Sequence, residues 1–363
     1  MINTTFSDRD RDVDKQIREL LSSNPMPGNI SLVYQKNPSL FDAIEVGNRK
    51  TQLLVVKDDN KVVGFQTRSL KDLYINGQVM GVGYLGNLRI DTHYQKRGIL
   101  KSGMDFLKKN DSNRFAPFYF STIISANKKA LNILTKPRQG GLSFIFRGNY
   151  ITKAVMIFDK KKNIDSKYKI VRGSRENIKK IVNFLNHEGR NKNFYPHYRL
   201  EDFNSGTLRD FKIEDFYVAI KDDDIVGVIG KWDQGGFKQN IIGGYSFLFK
   251  VYKTVHNFVS GFSRIPKIPA VGEKINYLYL SFIATKDNDP DIFNFLLKSV
   301  YNDLVNSDYL YLVIGLHQDD KLLKSLKGFS CLTYRSNLYI NFWQGDDIYP
   351  FDNRVPYIEL STI

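Results

Sequence analysis

The stretch Tyr84–Leu107, YLGNLRIDTHYQKRGILKSGMDFL, decides how this chain is read. It opens as an apolar strand and passes through a short polar loop containing Gly98. It continues as an amphipathic helix on which Ile99, Leu100, Gly103, Met104 and Leu107 share one face. Lys108 and Lys109 fall in the last turn, where the helix dipole favours cations. A loop entering a helix in this way offers several unpaired backbone N–H groups at the positive end of the dipole, which suits a pyrophosphate. Gly98 lets the backbone approach the phosphates closely, and Lys96, Arg97 and Lys101 surround it with positive charge.

Towards the N-terminus, the strand from Gln78 to Ile90 is the returning arm of a hairpin with Asn76-Gly77 at its tip. Before it, Leu53–Val56 and Val62–Phe65 read as a second hairpin across the charged turn Lys57–Asn60. Val13, Ile17, Leu20 and Leu21 fall on one face of a helix that ends in Ser22-Ser-Asn-Pro25. Towards the C-terminus the same order returns. Ser174 is placed to cap a helix with Ile178, Ile181, Val182 and Leu185 on its face. Phe216–Ile220 and Ile225–Val228 form a hairpin across Lys221–Asp224, so KDDNKVVG is echoed by KDDDIVG. A strand over Tyr277–Ala284 follows. Then come a helix opened by Asp289-Pro290, a strand over Tyr309–Gly315 and a short helix with Leu322, Leu323 and Leu326. This order implies an internal duplication of mixed α/β class, with one domain over 1–160, a second over 161–363 and a polar junction at Asp159–Asn163. The second copy carries an insert at 233–274. There Gly243-Gly244, the run Tyr245–Phe258, Gly261 and two prolines suggest an aromatic helix between flexible joints, either a lid or an element packed on its own domain.

At 363 residues, two domains are the natural division. With 42% hydrophobic, 13% aromatic and 25% charged residues, the chain is not a disordered or fibrous one. A single cysteine, Cys331, excludes an internal disulfide framework. His93, His187, His197, His256 and His317 show no metal-ligand spacing, so no metal is expected. No run of 18 apolar residues lacks a charge. The most apolar window, Ile241–Phe262, carries Lys250, Lys253 and His256, and Asp8–Arg11 interrupt the place where a signal peptide needs an apolar core. A cytoplasmic protein without a membrane partner is the expectation. Lys plus Arg number 53 against 38 Asp plus Glu, a net of +15. The part up to Asp165 holds 27 basic and 15 acidic residues, so an anionic partner is expected there.

The run N-L-R-I-D-T-H-Y-Q-K-R-G-I-L resembles the acyl-CoA-binding motif of the GNAT superfamily of N-acyltransferases. Gln95, Lys96, Arg97, Gly98, Ile99 and Leu100 match its loop, although Leu100 stands where the family has a small residue. Phe118–Ile124 resembles the family's next strand, and Asn127-Lys-Lys-Ala130 its N-x-x-A motif. The resemblance spans about residues 28–158 and implies tandem GNAT-like folds, each a central, mostly antiparallel mixed sheet flanked by helices. It implies that Leu88, Arg89 and Ile90 line the acyl and pantetheine groups, that Gln95 to Lys101 hold the pyrophosphate, and that Asn127 meets the pantetheine arm. Read without the family, Asn127 is a helix cap. The implied reaction is direct attack of an amine on acetyl-CoA, with a small molecule, peptide or protein as acceptor. No Asp or Glu lies between Ile75 and Ile90 to act as base, and Leu134 stands where the family's tyrosine acid is found. Tyr84 and Tyr119 are the substitutes. The second copy has Thr285-Lys-Asp-Asn-Asp-Pro-Asp291 instead of a glycine loop, and its aspartates repel a pyrophosphate. Two other readings stay open: a non-catalytic acyl-CoA sensor, and a peptidyltransferase of cell-wall type that uses aminoacyl-tRNA. Other nucleic acid is not expected, and monomer and homodimer are both compatible with the sequence.

Overall fold

Leu53, Leu54, Val55 and Val56 are all buried, but on alternate faces of one strand, as the two-residue period of a strand requires. Leu53 and Val55 pack with Val13 and Ile17 of the first helix, while Leu54 and Val56 pack with Ile99 and Leu107 of the helix in the quoted stretch. The sheet is therefore covered on both sides. Each fully buried side chain of this size stabilises the fold by about 1.5–3 kcal/mol. The computed structural model describes residues 1–23, 25, 29–111, 115–162, 167–260 and 267–363.

In chain order the first half runs β1 (Ile2–Ser7), α1 (Arg11–Ser22), β2 (Ile30–Gln35), α2 (Leu40–Ile44), β3 (Lys50–Asp58), β4 (Lys61–Ile75), β5 (Gln78–Ile90), α3 (Ile99–Lys109), β6 (Tyr119–Ile124), α4 (Lys128–Leu134) and β7 (Leu142–Met156). The second runs β8 (Lys169–Arg172), α5 (Ile178–Gly189), β9 (Tyr195–Pro196), β10 (Phe216–Lys221), β11 (Asp224–Trp232), β12 (Gln239–Tyr245), α6 (Phe247–Ser260), β13 (Tyr277–Thr285), α7 (Pro290–Leu304), β14 (Tyr311–His317) and β15 (Cys331–Trp343). Both expected hairpins are present, and Asn76 (φ 51°) and Gly77 (φ 81°) give the left-handed pair that a tight turn requires. Asp10 caps α1 by accepting from the N–H groups of Asp12 and Val13. Ser174 is not a side-chain cap. The helix begins four residues later, and its N-cap residue Asn177 reaches back to accept from the Ser174 N–H at 2.7 Å. The last short helix is a 3₁₀ segment, Lys321–Gly328.

Among the described residues one mixed, mostly antiparallel sheet crosses both halves in the order β1-β3-β4-β5-β6-β15-β7-β14-β13-β11-β10-β8. Its centre is an exchange. β15, the last strand, lies between β6 and β7 of the first half, and β7 pairs on its other side with β14. A small second sheet, β2 with β12, joins the halves again, so Gly243 and Gly244 lie in a strand rather than a flexible joint. Asn163, Gly261 and Pro266, named in the readings of the junction and the insert, lie outside the described residues.

Candidate active site

Between Phe65 and Thr67 the β4–β5 ladder slips. Phe65 faces Arg89 and Thr67 faces Gly86, so Asn87 and Leu88 together oppose one residue of β4. Asn87 takes a left-handed backbone (φ 56°), the geometry of a bulge that bends the strand. The parallel pairing of β5 with β6 covers only Gly83–Tyr119 and Tyr84–Phe120. Beyond it β5 turns away, while β6 stays with β15 as far as Ile124. A wedge opens at the C-terminal ends of two parallel strands, the usual position of a ligand in such sheets.

The loop of the quoted stretch borders this wedge. Asp91 accepts from the His93 N–H (2.9 Å) and from Lys61 (3.1 Å), and Tyr94 donates to Asp58 (3.2 Å). Arg97 lies 5.1 Å from the Tyr94 ring. Lys96 (φ 66°) and Gly98 (φ 79°) are both left-handed, and a Cβ built on Gly98 meets nothing within 4 Å. The first i→i−4 bond of α3 runs from the Ser102 N–H to the Gly98 carbonyl. The amides of Ile99, Leu100 and Lys101 precede that bond, and Gly98 supplies no side-chain cap. Lys96, Arg97 and Lys101 are exposed around this opening. Gln95 is held by Lys129 of α4. Asn127 caps α4, accepting from the Ala130 N–H at 3.0 Å.

On the other side of the bulge stand residues that the sequence reading did not single out. Lys36, one residue past β2, donates to the Asn87 side chain at 2.7 Å, and Asn87 donates in turn to Thr67 (3.0 Å). Lys36, Tyr84, Asn87 and Lys238 line one narrow slot with Thr362 and Ile363. Desolvation, reinforced by Lys238 and Arg89, brings the Lys36 ammonium down to about 7. Desolvation, aided by Lys238, lowers Lys71 to about 7 as well, and burial lowers Lys238 to about 8. Lys71 donates to the Thr362 carbonyl (2.9 Å) and Lys238 to that of Ser361 (2.8 Å). A cavity of about 260 Å³ continues past Lys71 along Asp72, His197, Arg199 and Glu359. A larger one, about 380 Å³, lies elsewhere, between Asp233, Lys274 and Tyr309, and carries none of these groups. No signal in the sequence pairs Lys36 with Lys238, because the β2–β12 register alone brings them together.

The two tyrosines fall in different surroundings. Tyr84 packs with Phe120 and lines the slot beside Asn87. Tyr119 packs in the cluster that includes Ile99 and Leu107, and its hydroxyl donates to Asp111 at 2.8 Å. Asp111 also takes Arg68 (3.1 Å) and Trp343 (2.6 Å). Burial, with the Asp111 charge adding to it, pushes the Tyr119 hydroxyl far up.

The second half repeats the bulge. Val228 faces Ala284 and Gly230 faces Ser281, and Phe282 is left-handed (φ 57°). Here the chain fills its own site. The Phe282 N–H donates to Glu359 (2.8 Å), the Ile283 N–H to the Tyr357 hydroxyl (3.4 Å), and Ser281 meets Ser361 at 2.9 Å. At the start of α7 the Asp289 carboxylate accepts from the Asp291 N–H at 2.7 Å, and Pro290 has no N–H to offer.

No protein-family model matches the sequence, and no curated protein does. Solved structures match over most of the chain. A tandem GNAT protein from the clavulanic acid biosynthesis pathway is 10% identical over 94% of this chain and 98% of its own, with a TM-score of 0.57. The Saccharomyces cerevisiae N-myristoyltransferase bound to myristoyl-CoA is 13% identical over 98% and 88%, with a TM-score of 0.60. A GCN5-related N-acetyltransferase from Sphaerobacter thermophilus is 11% identical over 86% and 83%, with a TM-score of 0.51. At these identities the likeness is one of fold, and the fold of this chain is the GNAT fold.

Proposed function

We propose that this protein is an N-acyltransferase that takes its acyl group from acetyl-CoA in the first half and delivers it to an amine. The observation that carries this reading is the open cradle at Lys96–Lys101 beside the β5 bulge, set against a counterpart in the second half that the chain itself fills. The pyrophosphate would lie on the amides of Ile99, Leu100 and Lys101, with Gln95, Lys96 and Arg97 at its edge. The pantetheine arm would enter the wedge along Leu88, Arg89 and Ile90, with Asn127 at its mouth. The Leu88 N–H, outside the β4 ladder, would polarise the thioester carbonyl.

The acceptor amine approaches by the cavity of about 260 Å³ that adjoins the slot. Its nitrogen forms a bond to the carbonyl carbon, the C–S bond breaks, and the thiolate of CoA leaves. The amine's proton passes to neutral Lys36, which supplies the base that β5 lacks. Tyr84, in the same slot, is the donor proposed for the thiolate. Calorimetric titration with acetyl-CoA and with CoA tests the reading. The wild type should bind both at micromolar levels, and Gly98→Glu, with unchanged circular dichroism, should bind neither. A folded wild type that binds neither overturns the proposal.

A further inference from the structure

We infer that α6 is an interfacial anchor that lays its outer face on a bilayer containing anionic lipid. The helix is built the wrong way round for a soluble surface. Its inner side is the narrow and largely polar one. Phe249 stacks on Tyr245 at 5.3 Å, the Lys253 ammonium lies 4.9 Å from the same ring, and Asn257 exchanges hydrogen bonds with Ile268 at 2.9 and 2.8 Å. Its outer side carries Phe247 (79% exposed), Leu248 (80%), Val251 (55%), Tyr252 (52%) and Val255 (59%). At about 100° per residue these five cover an arc of about 140°. A helix of a water-facing surface places such an arc against the core.

The charge around this face selects the occupant. α6 itself has no Asp or Glu and carries Lys250 and Lys253, and Lys267 is exposed beyond it, while Glu273 acts on the Tyr245 hydroxyl on the inner side. Lys250 is exposed at the border of the apolar arc, where its stem can lie along the apolar boundary and its ammonium reach headgroups. A second copy of this chain would bring like charges face to face, which disfavours pairing. Apolar side chains on a helix whose only charges are lysines match an anionic membrane surface. With 14 residues, α6 is about 21 Å long, too short to span a bilayer but long enough to lie in its interface.

The anchor is tied to the candidate active site. α6 follows β12, which pairs along its length with β2. Lys36 lies just past the end of β2 and Lys238 just before the start of β12, so the end of this small sheet remote from α6 borders the acceptor slot. This inference revises the expectation that no membrane partner exists.

The test is flotation of the full chain with vesicles of phosphatidylcholine, with or without phosphatidylglycerol, at low and high salt. The wild type should float with the anionic vesicles and be released in part by salt. Leu248→Asp with Val251→Asp should lower partitioning by at least about tenfold at an unchanged melting temperature, since both side chains already face solvent. Lys250→Glu should weaken binding several-fold on anionic vesicles only. A wild type that stays in solution with both vesicle types overturns the inference, as does a double variant that floats like the wild type. A double variant whose only change is from dimer to monomer in sedimentation velocity assigns the face to self-association instead, and also overturns it.

Discussion

Asn87 and Phe282 stand at matching points of matching strands. Each has a left-handed backbone, lies in a bulge, and precedes a short 3₁₀ turn and a helix. Around Asn87 the following helix starts at an uncapped glycine with exposed basic residues. Around Phe282 the N–H groups are taken by Glu359 and Tyr357, and the helix start is taken by Asp289. The scaffold is common to both halves. What differs is whether the chain leaves the polar groups of the bulge and helix start for something else to satisfy or satisfies them itself. Buried polar groups need partners, so an open copy and a filled copy of one scaffold suit different roles.

Substitutions at four positions break or sharpen this contrast. Gly98→Glu gives the first half the acidic helix start that the second already has. It adds a side chain at φ 79° and a carboxylate where the phosphates would lie. Acetyl-CoA affinity should fall at least about 100-fold by calorimetry, equivalent to about 2.7 kcal/mol. The next effect is on turnover. Lys36→Met should lower kcat by about 10²–10³-fold, within the usual range for a general base. The wild-type rate should rise with pH through about 7, because only the neutral amine accepts a proton. Lys36→Arg keeps the charge, stays protonated and should not recover that limb.

The third position opens the filled copy. Glu359→Ala leaves the Phe282 N–H and the Tyr357 hydroxyl without their acceptor inside the protein. It should cost about 2–3 kcal/mol in denaturant melts and leave acetyl-CoA affinity within about twofold. Glu359→Gln separates charge from shape. Burial raises the Glu359 carboxyl, so the folded state holds its proton to a higher pH than the unfolded chain does. Its contribution to stability is therefore best below the unfolded value and worsens as pH rises through the folded one, a slope that the amide lacks. The smallest effect is expected at Asn127→Ala. It removes a helix cap worth about 1 kcal/mol and should change acetyl-CoA affinity by less than about threefold, because the side-chain oxygen is already used by Ala130.

Much of the scaffold is legible in the sequence. Period-two alternation, Asn76-Gly77 and Gly98 place β4, β5 and α3 closely, because each signal acts within a few residues. The repeated KDD turns mark the two matching hairpins for the same reason. The open loop at Gln95–Lys101 is legible too, since it needs only a glycine, a helix and local charge. The acceptor side is not. Lys36 reaches Asn87 across 51 residues, Lys238 joins them through a strand pairing some 200 residues apart, and Glu359 meets Phe282 from the far end of the chain. Nothing in the local composition of these segments marks such partners.

By itself, then, the sequence determined the repeated order of elements and the cradle of the first half, because backbone propensity, turn geometry and helix capping are short-range forces. Only the tertiary structure decided that β15 enters the first half's sheet, that Lys36 and Lys238 meet at one slot, that the second bulge is filled, and that α6 turns its apolar face outward. Those outcomes depend on which distant surfaces can be buried together and which buried polar groups then find partners, a choice settled by packing of the whole chain.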